Sequence, residues 1–272
     1  MFQREESSDL RSQKKNVIFI GDSLLDDFLC LEDKSMDLTK EMEDLGFNVD
    51  NYAVDGSKVK DLIAGIEPRE VCRTTRSYKY PVSEDGRVYQ LELLSRKSTK
   101  PFEPLYQNDG TNSDMVVISA GGNDLQVDVM RILFGVEYFF NSVVSGEFIS
   151  DYERIIEKSK EEGRKVVVVC MYLPYLGKGS TYGTFESLAV SIVDRWKQFV
   201  LPLAKKHNIA VLDLSRTLDS KVRENYGTSD LQTSNRTNKC IARCLEYIYA
   251  NYNGFGVYFA PDCDVSNIKT SE

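Results

Sequence analysis

Asn16-Val17-Ile18-Phe19-Ile20-Gly21-Asp22-Ser23-Leu24 decides how the rest of the chain is read. Val17 to Ile20 is an apolar, partly β-branched run that fits a buried strand. The run breaks at Gly21-Asp22-Ser23. A serine placed where a buried strand gives way to a turn lies at the carboxyl edge of a sheet. In open α/β sheets that edge is where ligands bind. Ser23 is therefore a candidate nucleophile, and the chain must be searched for the base such a serine needs.

Working outward, the β-α rhythm continues. Leu38, Met42 and Leu45 share one helical face, and Gly46 closes it. Residues 47–54 alternate as a second strand that ends in Asp55-Gly56-Ser57. Ser57 is the expected N-cap of a helix carrying Val59, Leu62, Ile63 and Ile66 on one face. Residues 67–114 break the rhythm. Segments 71–80 and 87–94 suggest a hairpin around Pro81 to Gly86, and residues 107–110 suggest a turn. This is an insertion, too short to hold its own core.

The rhythm resumes with residues 115–119, a strand ending in Ala120-Gly121-Gly122-Asn123-Asp124. A buried helix is expected over 125–140 and an amphipathic one over 149–160. Residues 165–172 contain four consecutive valines and read as a strand buried on both faces, as in a parallel sheet. A loop over 173–183 leads to a long helix over 184–206 and a fifth strand over 209–214. Residues 221–235 are irregular, and the last helix spans 239–249. Five strands alternating with helices define an α/β, doubly wound parallel sheet. The expected organisation is a polar leader over 1–15, one domain over 16–251 and a tail over 252–272.

The chain has 272 residues, 42% of them hydrophobic, enough for one full core. Its formal net charge is -8 and its basic residues are scattered, so no nucleic-acid footprint is expected. The first fifteen residues lack an apolar signal-peptide core, and the longest apolar run, 166–171, is far too short to span a bilayer. A cytoplasmic protein without a membrane span is the expectation. The six cysteines are irregularly spaced and read as free buried thiols. Cys240 and Cys244 stand four apart on an expected helix, but no histidine or second cysteine pair is nearby, so no metal site is expected there.

Three strands end in small-polar turns: Gly21-Asp22-Ser23, Asp55-Gly56-Ser57 and Gly121-Gly122-Asn123-Asp124. In a parallel sheet all three lie on one edge. The set suits acyl transfer. A serine hydroxyl attacks an ester carbonyl, and donors must meet the oxygen as it becomes negative. Gly56 can offer a backbone N–H and Asn123 its side-chain amide. Asp22 reads as holding the turn together. Asp26 and Asp27 read as solvated carboxylates at a helix start, favoured by the helix dipole. Tyr172, Pro174 and Tyr175 are candidate lining residues.

Gly21-Asp22-Ser23-Leu24, Gly56 and Gly121-Gly122-Asn123-Asp124 resemble, in order and spacing, the first three blocks of the SGNH (GDSL) hydrolase family. The resemblance implies a flavodoxin-like fold and esterase or lipase chemistry with no metal or organic cofactor. It implies Ser23 as nucleophile, and an oxyanion hole from the Ser23 backbone N–H, Gly56 and Asn123. The ligand is then a small-molecule ester or an acyl group.

The family's fourth block, an Asp-x-x-His before the last helix, corresponds to residues 229–235. Asp230 stands at the aspartate position and Thr233 at the histidine position, and the block contains no histidine. The only histidine, His207, falls between a helix and the fifth strand, on the opposite edge, and reads as a surface-loop residue. Losing a triad member lowers turnover by about 10⁴ to 10⁶, leaving roughly 10³ over water. Threonine is no base near neutral pH, whereas a carboxylate such as Asp230 becomes one if burial raises its pKa. Three readings follow: a divergent hydrolase, a pseudoenzyme binding an acyl or acetylated ligand, or an interaction protein whose contact surface is the 67–114 insertion.

Overall fold

Among the described residues, seven strands form one sheet in the order β2-β1-β3-β4-β5-β6-β7. They are β1 (Lys15–Gly21), β2 (Phe47–Asn51), β3 (Met115–Ser119), β4 (Lys165–Cys170), β5 (Ala210–Asp213), β6 (Gly256–Phe259) and β7 (Lys269–Ser271). The first six run parallel, and β7 pairs antiparallel with β6. The computed structural model describes residues 15–26, 36–67, 83–94, 113–125, 146–180 and 182–271. All of the expected leader but Lys15, which begins β1, the expected strand over 71–80, the turn at 107–110 and most of the expected helix over 125–140 lie outside those residues.

The helices are α1 (Leu38–Asp44), α2 (Val59–Ala64), α3 (Gln90–Leu93), α4 (Gly146–Lys160), α5 (Glu186–His207), α6 (Leu214–Thr217) and α7 (Asn235–Asn251). Alternation along the strands sorts them onto two faces. On one face Ile18, Ile20, Val116, Ile118, Val166 and Val168 pack against α2, α3, α4 and α5 through Leu62, Leu91, Tyr152, Ile155 and Trp196. On the other, Val17, Phe19, Met115, Val117, Val167 and Val169 pack against α1 and α7 through Leu38, Met42, Ile241, Leu245 and Ile248. Both faces of the central strands are buried, which is why β4 reads as an unbroken apolar run rather than an alternating one.

Three expectations need correction. The described residues form seven strands, not five, because residues 252–271 supply β6 and β7. Residues 87–94 do not form a strand: only Val88 pairs, in an antiparallel bridge with Ile66, and residues 90–93 turn as α3. So short a run is too brief for periodicity to separate the two states. Ser57 is not the N-cap of α2. Lys58 takes that position, its N–H donating to Asp61 Oδ2 at 3.0 Å, and Ser57 is fully buried. Among the described residues, no helix is long and apolar enough to cross a membrane.

Strand order 2-1-3-4-5 places the topological switch point between β1 and β3. Ser23 follows β1, and Asn123 follows β3.

Candidate active site

Gly21 ends β1 with φ at 141°, opposite Ser119 of β3. The chain then turns sharply. The Leu25 and Asp26 N–H groups both donate to the Asp22 carbonyl, at 3.1 and 3.0 Å, and Ser23 sits part-exposed within the turn. Asp22 is buried and holds the turn to β3. Its N–H donates to the Ser119 carbonyl at 3.0 Å, and its Oδ1 accepts from Ser119 Oγ at 2.7 Å and from the Leu24 N–H at 3.2 Å.

The second turn is tied to the first. The Val54 N–H donates to the Gly21 carbonyl at 3.0 Å, and the Ser57 N–H closes a turn onto the Val54 carbonyl at 3.1 Å. Gly56 occupies the third position of that turn with φ at 84°, a value that favours glycine. Asp26 is buried, and its Oδ2 accepts from the Asp55 N–H at 3.0 Å. Its expected reading as a solvated carboxylate is therefore wrong, because it braces the glycine turn. Asp27 lies outside the described residues.

The third turn joins at Ser57. Asn123 Nδ2 donates to the Ser57 carbonyl at 2.9 Å, which uses one of the two donors of a primary amide. Asp124 Oδ2 accepts from the Val59 N–H at 3.0 Å, at the start of α2. From behind, Trp196 of α5 donates Nε1 to the Ala120 carbonyl at 3.2 Å, with Tyr152 edge-on at 6.4 Å.

Gln90 completes this network, and sequence reasoning missed it. It is fully buried in α3, inside the insertion. Its Oε1 accepts from the Gly21 N–H at 2.6 Å, and its Nε2 donates to the Gly21 carbonyl at 3.1 Å and to Ser57 Oγ at 3.0 Å. One carboxamide thus bridges the first and second turns. The available signal was a lone glutamine among Val88, Leu91, Leu93 and Leu94.

Asp230 and Thr233 lie in a separate loop. Asp230 Oδ1 pairs with Arg223 at 3.3 Å, and its carbonyl accepts from the Tyr175 N–H at 2.7 Å. Thr233 is buried, bridges to Tyr226, and donates Oγ1 to Asn238 Oδ1 at 3.1 Å. Tyr172 and Tyr175 pack their rings on Tyr226, with centroids at 6.3 and 5.6 Å, and Tyr172 Oη donates to the Leu231 carbonyl at 2.5 Å. These tyrosines therefore hold the loop in place. Its far end approaches the serine side of the sheet where Asn235 and Asn238 of α7 both reach the Met36 carbonyl, at 3.4 Å each. His207 is not a loop residue. It ends α5, half-buried, with Nε2 2.5 Å from Glu153 Oε1.

The site carries buried negative charge. Burial pushes the Asp22 carboxyl up to about 6, against the hydrogen bonds from Ser119 and Leu24, and the Asp124 and Asp55 charges add to the rise. Burial also raises Asp124. A folded-state pKa above the ordinary 3.8 means that the Asp22 contribution to stability is fully present below pH 4 and lost as pH rises through 6. Asp22→Asn keeps an acceptor for Ser119 and Leu24 and removes the charge. It is expected to stabilise the protein at pH 8 by about 1–3 kcal/mol, with the gain vanishing towards pH 4. Thermal melts of both proteins across that range check it, and a gain of equal size at both ends contradicts it.

A mostly parallel sheet with three hydrogen-bonded turns at its switch point, the first carrying a serine, defines an α/β protein with the SGNH hydrolase fold. Solved structures of that fold superpose on the chain. A lipase from a goat rumen metagenome matches with a TM-score of 0.57 at 16% identity, covering 89% of this chain and 99% of the lipase. An acetyl xylan esterase matches with a TM-score of 0.50 at 16% identity, covering 88% and 100%. A carbohydrate acetylesterase family member from Sinorhizobium meliloti matches with a TM-score of 0.50 at 13% identity, covering 86% and 96%. No protein-family model matches the chain, and no curated protein matches it.

Proposed function

We propose that the chain is a slow serine hydrolase of small carboxylic esters, built on the SGNH pattern without its imidazole. The observation that carries the proposal is the hydrogen-bonded union of the three turns: Gly21 to Val54, Asp22 to Ser119, and Asn123 to Ser57. Such a frame fixes a hydroxyl and backbone donors together, as stabilisation of a developing oxyanion requires. The first two structures named above are a lipase and an acetyl xylan esterase, so ester cleavage is the chemistry to test.

Ser23 Oγ attacks the ester carbon and the carbonyl electrons move onto oxygen. The Ser23 N–H, the Gly56 N–H and the second Asn123 amide hydrogen receive that charge. Collapse expels the alkoxide, which takes a proton from water, and leaves an acyl-serine that water then cleaves to the free acid and Ser23. The serine proton passes to solvent base, because Asp230 Oδ1 is engaged by Arg223 and Thr233 offers no base. The rate should then climb with pH without an imidazole inflection near 6.5.

Hydrolysis of 4-nitrophenyl acetate by the wild type and Ser23→Ala tests this. The wild type is expected to exceed the roughly 10³ over water that an oxyanion hole and binding supply without a nucleophile, and the variant to fall back to about that level with an unchanged melting temperature. Equal rates for the two proteins would sink the proposal. They would favour the second reading, a pseudoenzyme that binds an acyl ligand. That reading draws support from Thr233, which is buried and hydrogen-bonded at the histidine position.

A further inference from the structure

Away from Ser23, α4 and α5 bring together a donor set with no part in ester chemistry. Glu153 and Glu157 are four apart on α4 and so share one face. His207, the only histidine of the chain, ends α5 on that face, before the amino end of β5. The Glu153, Glu157 and His207 ligand atoms all lie within 4.8 Å of one another. His207 Nε2 and Lys206 Nζ each lie 2.5 Å from Glu153 Oε1.

We propose that Glu153, Glu157 and His207 bind one divalent transition-metal cation of borderline softness, zinc(II) or cobalt(II), at the amino edge of the sheet. Two carboxylates and one imidazole supply three protein ligands of the kinds zinc accepts, with a fourth position open to water. Bonds of about 2.0–2.1 Å in a tetrahedron place ligand atoms roughly 3.3 Å apart, so Glu153 Oε1 and His207 Nε2 must part from 2.5 Å to that spacing while the wider pairs close by up to about 1.5 Å. Glu157 is exposed, and Glu153 and His207 are partly so, which leaves room for that closure.

Lys206 is the competitor. Its ammonium already occupies a cation position against Glu153, and together with His207 it holds the Glu153 carboxyl below its usual range. The Lys206 side chain is 64% exposed on a flexible stem, so a divalent ion can displace it. A bound ion would clamp the end of α5 to the middle of α4.

Cobalt(II) titration of the reduced full chain tests the proposal, because cobalt(II) reports its ligands spectroscopically. The expected result is one ion per chain without a thiolate charge-transfer band, which excludes the cysteines as ligands. Affinity should fall by about tenfold or more in both His207→Ala and Glu157→Gln, and rise in Lys206→Ala. Far-UV circular dichroism checks that the variants fold. No stoichiometric binding, a thiolate band, or unchanged affinity in both ligand variants would overturn it.

Discussion

Gly21→Ala is expected to leave little or no folded protein. A Cβ at this position would stand 1.9 Å from the Ser119 carbonyl oxygen, 2.7 Å from its carbon and 2.9 Å from the Ser119 nitrogen. All three are backbone atoms of β3, so no side chain can rotate away. Gly21 also has φ at 141°, where side chains are rarely tolerated. Relief requires β1 and β3 to part at their carboxyl ends. That separation breaks the Asp22 bond to Ser119 and disturbs the Gly21 bonds to Val54 and Gln90. The cost exceeds about 4 kcal/mol, a large part of the stability of an ordinary domain. A soluble remnant should melt more than about 10 °C below the wild type. Gly46→Ala is the control. Gly46 has φ at 86°, and a Cβ placed there would meet nothing within 4 Å, so only the backbone penalty of about 1–2 kcal/mol remains. The difference between the two melts isolates the clash with β3. If Gly21→Ala melts like Gly46→Ala, β1 and β3 do not approach as described.

The same residues explain which parts of the molecule the sequence makes legible. Strands β1, β3 and β4 are runs of apolar, mostly β-branched residues buried on both faces, and their β-branching, short length and flanking turns mark them as strands where periodicity alone does not. The three turns are legible because a chain leaving a buried strand at a ligand edge uses glycine and small polar residues. Strand β7 is Lys269-Thr270-Ser271 and largely exposed at the sheet edge; its pairing is carried by backbone groups, which composition does not record. Strand β6 is only four residues long, and its apolar run follows directly on a glycine-containing loop. Asp26 looks solvated in sequence because its partner, the Asp55 N–H, is 29 residues away. Thr233 could be read only as a missing histidine. Its burial and its bond to Asn238 show a position already committed to holding the start of α7.

Gln90→Leu is the sharpest test of how the insertion serves the site. Leucine nearly conserves the volume, so no large cavity opens and the loss is polar. Three hydrogen bonds disappear. The Gly21 N–H is left buried without its acceptor, Ser57 Oγ loses its donor, and the Gly21 carbonyl keeps only the Val54 N–H. Each buried group stranded in this way costs about 1–3 kcal/mol, so a loss of about 3–5 kcal/mol is expected, read as a fall in denaturation midpoint at constant m-value. Gln90→Glu separates hydrogen bonding from shape. It retains an acceptor for the Gly21 N–H but points a second carboxylate oxygen at the Gly21 carbonyl. A buried carboxyl facing an acceptor has a raised pKa, so this variant should approach wild-type stability at low pH and lose it as pH rises. A leucine variant within about 1 kcal/mol of wild type would mean that packing alone holds the turns. The expected result makes residues 83–94 part of the frame that holds Ser23, because the Gln90 side chain bonds both the serine turn and the glycine turn. A change in the insertion would then reach Ser23 through the Gly21 backbone, without any contact between the insertion and a substrate.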